Sequence, residues 1–205
     1  PSHFGSRLRP GPPECWPWLG RRAGGPARAM PLFGLYVQAQ LDGVARIDFP
    51  AETNWVLDVK NPAGDEVRER ITVNSVEEYD IPNSKGTANF LVKWEGAKSS
   101  SSMSVFTPTR ASEVKELKGK AGNTLGSYTS EQAGQSVLVA IFDCRGIEPI
   151  LWHPEGPFTV TSEVGDGKWE VDDLNAATSE DGWMEVDGDL PVMITELVSE
   201  IKIVR

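Results

Sequence analysis

Cysteine and histidine are scarce in this chain: its 205 residues include only Cys15, Cys144, His3 and His153. Two cysteines make no disulfide framework, no pair stands at metal-ligand spacing, and zinc held by four thiolates is excluded by number alone. The composition fits a reducing compartment. Long apolar runs are also missing. None approaches the roughly 20 residues that span a bilayer, and none reads as a secretory segment with a small-residue cleavage site. A soluble, cytoplasmic protein is therefore expected, with no membrane partner. Nucleophile elbow, P-loop, dinucleotide-binding glycine fingerprint and His-Glu zinc motif are absent too, so composition and spacing by themselves mark no active site.

Positive charge is short where it would matter most. The formal charge is −10, yet residues 1–29 carry Arg7, Arg9, Arg21, Arg22 and Arg28 against Glu14, a net +4, which leaves −14 for residues 30–205. Nucleic-acid affinity rests on cationic side chains that displace counterions, so nucleic acid is not an expected partner. Residues 1–29 are rich in Pro, Gly and Arg and show neither helical nor strand period. A transit peptide and an upstream, non-native leader compete for them. The Pro/Gly density opposes the amphipathic helix of a transit peptide and favours the second, so the segment is set apart from fold reasoning.

What the chain does have is β pattern. An apolar fraction of 39% is enough for a core. From Met30 onward, period-two or β-branched runs occupy residues 35–41, 55–60, 66–73, 88–94, 102–107, 136–144, 158–164 and 191–204, separated by Gly, Pro, Asn, Asp and Ser. Val67, Glu69, Ile71 and Val73 alternate with Arg68, Arg70 and Thr72, which predicts a strand with one solvated, charged face. Only residues 108–122 invite a helix, read as a surface connector, and the serine run 99–102 reads as a loop. The pattern predicts a mainly β, sandwich-like protein with little helix, built from two sheet-rich halves, 31–109 and 110–205. Asn61-Pro62-Ala63-Gly64 supplies turn chemistry between two of the strands.

Acid concentrates in the second half, at Glu170, Asp172, Asp173, Glu180, Asp181, Glu185, Asp187 and Asp189. No calcium-loop pattern organises these residues, and a solvated face is the expected reading, with weak divalent-metal binding as another. Cys144 has no histidine near it in sequence and reads as a buried structural thiol. Arg145 and Glu148, three apart across Gly146, are expected to pair. His153 would serve as acid or base, in a hydrolase-type enzyme, only if carboxylates of the C-terminal half met it in a cleft.

One segment is idiosyncratic: Phe142-Asp143-Cys144-Arg145-Gly146-Ile147-Glu148-Pro149, followed by Asp172-Asp173-Leu174, Trp183 and Pro191-Val192-Met193-Ile194. In that order the chain resembles the eukaryotic CXXC motif-containing zinc-binding protein family, closely over about 136–198 and more loosely over 32–107. Met30 stands where the family's start methionine would lie. The resemblance implies two Cys-x-x-Cys knuckles offering four thiolates to one zinc. Laid along this chain, the first falls on Asn61 and Gly64 and the second on Trp94 and Ala97, so the offset of three is kept and the cysteines are not. The family reading therefore implies a non-enzymatic cytoplasmic protein that has lost its zinc site, holds no cofactor and binds another protein whose identity the sequence does not name.

Overall fold

The computed structural model describes residues 31–106, 125–175 and 182–204. Of these, 62% lie in strands and 2% in helix, the latter a single 3-10 turn at Ser130–Gln132. The mainly β expectation holds. The expected leader 1–29 and the connector helix at 108–122 fall outside the described residues, as do Glu180 and Asp181.

Every strand pairing is antiparallel. A six-stranded sheet runs β14 (Gly182–Asp187), β15 (Leu190–Ile203), β1 (Leu32–Asp42), β10 (Val137–Arg145), β8 (Ser101–Val105), β7 (Phe90–Val92). A four-stranded sheet runs β13 (Lys168–Asp173), β12 (Glu155–Ser162), β2 (Val44–Asp48), β9 (Ser127–Thr129), and a three-stranded one β11 (Glu148–His153), β3 (Trp55–Lys60), β4 (Val67–Val73). The small hairpin β5 (Tyr79–Asp80) and β6 (Thr87–Ala88) stands apart from these. The sheets do not follow the sequence boundary near residue 110. Each of the three larger ones draws strands from both sides of it: β1 lies between β10 and β15, β2 between β12 and β9, and β3 beside β11.

One core joins the three sheets. Trp55 from β3, Trp152 from β11 and Phe158 from β12 meet around Phe49, just after β2, and Phe142 from β10 joins them through Trp55, with ring centroids 5.4–6.5 Å apart. Offset and edge-on rings at such distances gain attraction beyond their area burial. Strand β10 is buried along eight of its nine residues. Its second face is covered as well, since Leu138 and Ile141 pack with Phe106 and Leu125 in a separate cluster. That double burial accounts for an apolar run where a half-exposed strand would alternate.

Local patterns depart from period two at three places. Arg70 has φ 53° and, with Glu69, forms a bulge opposite Asp58, so the ladder resumes as Val59 to Arg68. Ile71 and Val73 stay inward, whereas Val67 is exposed, contrary to the simple alternation predicted for residues 67–73. The run 88–94, expected as one strand, is split at Asn89. Its carboxamide accepts from Val105 N at 2.8 Å and donates to Glu77 O at 2.7 Å, filling the ladder with side-chain bonds. The serine run read as a loop ends inside β8.

The aromatic junction sets the expected stability response. Phe158→Ala should cost about 3–5 kcal/mol, as large-to-small changes at fully buried aromatic positions do, whereas Val164→Ala at an exposed turn should stay within about 0.5 kcal/mol. Urea unfolding of the two variants beside the parent chain measures the difference.

Candidate functional site

Residues 61–64 and 94–97 each close as a four-residue turn with the same main-chain bond. Gly64 N donates to Asn61 O at 3.2 Å, and Ala97 N donates to Trp94 O at 3.1 Å. In the first, Pro62 presets the turn and Asn61 Oδ1 accepts from Ala63 N at 3.0 Å. In the second, Gly96 takes φ 71°, which a side chain would oppose.

The two turns lie against each other. Glu66, just past the first, accepts from Glu95 N at 2.9 Å, inside the second, and its other oxygen accepts from Arg68 Nη2 at 2.7 Å. These two donors hold its carboxyl below the ordinary glutamate range. Trp94 is buried and its Nε1 donates to Gly146 O at 2.7 Å, while Lys60 Nζ reaches Glu148 Oε1 at 3.0 Å. The segment 142–149 therefore leans on both turns.

Gly146 makes this possible. It has φ 71°, and a Cβ there would stand 2.5 Å from Ser101 Oγ. The chain passes here from β10 in the six-stranded sheet to β11 in the three-stranded one. The change of sheet sends the neighbouring charges apart. Arg145 pairs with Asp143, Nη2 to Oδ2 at 3.6 Å, and Glu148 pairs with Lys60 across the β11–β3 ladder. The expected Arg145–Glu148 pair is replaced by these two. Phe142 and Cys144 point into the core, and Ile147 and Pro149 are buried beside them. Burial pushes the Cys144 thiol far up, and the Asp143 charge adds to it, so the sulfur stays protonated and shielded as expected of a structural cysteine.

His153 meets a carboxylate from the other half of the chain. Its Nε2 lies 2.8 Å from Asp58 Oδ1, an acceptor, so that nitrogen carries the proton. Asp58 Oδ1 also accepts from Arg70 N at 2.8 Å, at the bulge, and Arg70 Nη2 reaches both oxygens of Glu155 at 2.6 Å. Burial alone would raise Asp58, but the Arg70 amide and the His153 ring outweigh it and hold its carboxyl below the usual range. Glu155, a carboxylate of the C-terminal half, is engaged by Arg70. Trp152, beside His153 in β11, has an indole N–H with no partner among the described residues.

A family model described as CXXC motif containing zinc binding protein, eukaryotic, matches residues 34–202. The chain belongs to this family. The UPF0587 protein YCR090C of Saccharomyces cerevisiae is 26% identical over 144 residues, 64% of this chain and 73% of its own length. The UPF0587 protein F46B6.12 of Caenorhabditis elegans is 26% identical over 184 residues, 86% and 97% of the two lengths. Among solved structures, a hypothetical protein from Plasmodium falciparum superposes with a TM-score of 0.70 at 23% identity, over 84% of this chain and all of its own. C1orf123 does so with a TM-score of 0.65 at 16% identity, over 84% and 99%. Both share the fold.

The family's description names zinc, and the residues here do not fit it. Asn61, Gly64, Trp94 and Ala97 offer no thiolate, imidazole or carboxylate, and the Asn61 carboxamide oxygen is spent on Ala63 N. Among the described residues no three of His, Cys, Asp and Glu converge as a metal would require, and Glu170, Asp172, Asp173, Glu185, Asp187 and Asp189 are dispersed over β13, β14 and the turn after β14. No helix among the described residues is long and apolar enough to cross a membrane.

Trp94→Phe keeps most of the buried ring and removes the donor to Gly146 O; it should cost about 1–2 kcal/mol, against about 3–5 for Trp94→Ala, by chemical denaturation. Asp58→Asn should destabilise by about 1–2 kcal/mol near neutral pH. Because the folded Asp58 titrates below its ordinary value of 3.8, its contribution is complete above that value and is lost as the pH falls through the lower folded value. Unfolding curves of parent and variant, measured from pH 7 downward, should therefore converge in acid.

Proposed function

We propose that this chain is a metal-independent, non-enzymatic member of the CXXC zinc-binding family that acts in the cytoplasm by binding another protein. The positions that the family pattern assigns to zinc ligands are read as a lost site. Main-chain turn bonds, the Glu66–Glu95 link and the buried Trp94 take over the joining of the two turns.

The observation that carries the binding reading is a pair of touching hairpin tips. The turn 163–167 joins β12 to β13, and the turn 188–189 joins β14 to β15. They meet where Asp187 Oδ2 accepts from Gly167 N at 3.2 Å. Val164, Val186 and Leu190 are exposed on these tips, among Glu163, Asp166, Glu185, Asp187 and Asp189. Aliphatic groups set within acid suit a protein surface that is apolar at its centre and basic at its rim. The hydrolase reading has less behind it, since His153 faces the carboxylate of Asp58 and the buried Cys144 thiol is held protonated.

Two measurements test this. Native mass spectrometry of the full chain without chelator, beside the acid-unfolded sample, should give equal masses; a gain of one zinc overturns the metal-independent part. For the surface, immobilised parent chain is compared with a Val164→Lys, Val186→Lys, Leu190→Lys variant. A protein retained by the parent should be released as salt rises from about 0.1 to about 0.5 M and lost in the variant, with thermal midpoints alike. Retention that ignores both the salt and the variant would refute the surface.

A further inference from the structure

The register of β8 against β10 sorts their side chains by face. Phe142, Cys144, Met103 and Val105 point into the core, while the cross-strand partners Asp143–Ser104 and Arg145–Ser102 point the other way. Those four polar side chains form the floor of a cavity of about 360 Å³, toward the lower end of the range for small-molecule sites. The β5–β6 hairpin closes over it, contributing Ser84 and Thr87. This placement explains why two serines in the middle of a sheet are buried.

The floor carries an unanswered charge. Asp143 is 9% exposed, and its Oδ1 has no hydrogen-bond partner among the described residues. Its Oδ2 faces Arg145 Nη2 at 3.6 Å, longer than a charge-assisted hydrogen bond. Buried carboxylates are ordinarily paired and hydrogen-bonded, because desolvation of the charge is otherwise uncompensated. Arg145 is half exposed, and its contact with Asp143 is this single long one. The cavity therefore holds an acceptor that needs a donor and, beside it, a guanidinium suited to a carboxylate.

We propose that this cavity binds a small zwitterion of the α-amino acid class, its ammonium on Asp143 and its carboxylate on Arg145, with the Ser102 and Ser104 hydroxyls beside it. The charges favour that class over its halves. Asp143 and Arg145 sum to zero, so an ammonium compound without an anion meets Arg145 unfavourably. An anion without an ammonium leaves Asp143 Oδ1 orphaned, and it must approach a chain with a net charge of −10. A ligand bearing both charges close together answers both groups. The polar floor favours a small or hydroxylated side chain over a large apolar one. This site is independent of the hairpin-tip surface, and neither result bears on the other.

The test uses the full chain and three probes, L-serine, ethanolamine and lactate, with binding followed by titration calorimetry and by protein NMR shifts. L-Serine should bind saturably, at least ten-fold more tightly than ethanolamine, which lacks the carboxylate, or lactate, which lacks the amine. Asp143→Asn and Arg145→Gln should each weaken L-serine at least ten-fold. Asp143→Asn keeps the size of the side chain, and its thermal midpoint is measured beside the binding to show that it is folded; Ser104→Ala is the second variant, expected to weaken binding without unfolding. No saturable binding of L-serine at tens of millimolar, equal binding of the three probes, or L-serine binding indifferent to both charge variants overturns the proposal.

Discussion

Everything in this fold depends on a junction of aromatic rings. Trp55, Trp152 and Phe158 close around Phe49 and Phe142 packs on Trp55, so that rings from three different sheets join. Sheets with independent twists pack together only where their inner faces are filled to crystal-like density, and five large rings fill that space with few rotatable bonds. Strands β3 and β11 are held at a fixed distance from β10 as a result. Within their own sheet, the β11–β3 ladder sets His153 beside Asp58, and the passage from that sheet to β10 runs through Gly146, whose carbonyl Trp94 reaches.

A metal knuckle and a hydrogen-bonded turn solve one geometric problem with different forces. Each reverses the chain over three residues and fixes it beside a second reversal. Zinc does so with strong bonds that require deprotonated ligands, whereas here the work is divided among weaker contacts. Two turn bonds, one carboxylate bridging to an amide and one indole in the core stand at the same places. The proposed exchange of one for the other asks for a fold large enough to pack around the turns. A smaller domain would depend on the metal for its stability.

Strands with strong β-branched or aromatic content were legible in the sequence. The run 55–60 has the same bounds as β3, and 136–144 differs from β10 by one residue at each end. Strands β13 and β14 were obscured, since Glu170, Asp172 and Asp173 stand around Val171 and Asp181 and Glu185 stand around Trp183 in the sequence, although Trp169 and Trp183 pack on each other at 5.9 Å. The turns at 61–64 and 94–97 were readable from spacing and resemblance together. The Asp58–His153 pair, separated by 95 positions, carries no local signal. Asp143 and Arg145 were visible as a motif, but their shared cavity arises from cross-strand register with Ser104 and Ser102, which no local pattern links to them.

Strand β10 places a sulfur and a charged cavity on opposite faces of the same peptide, one residue apart. Cys144 is sealed behind the sheet and its thiol is kept protonated, so an alkylating reagent reaches it only during moments when β10 separates from its neighbours. The rate of that reaction is then a clock for local opening. Anything that settles on the outer face and tightens β8 against β10 would slow the clock, which makes this thiol a built-in gauge of events on the far side of its own strand.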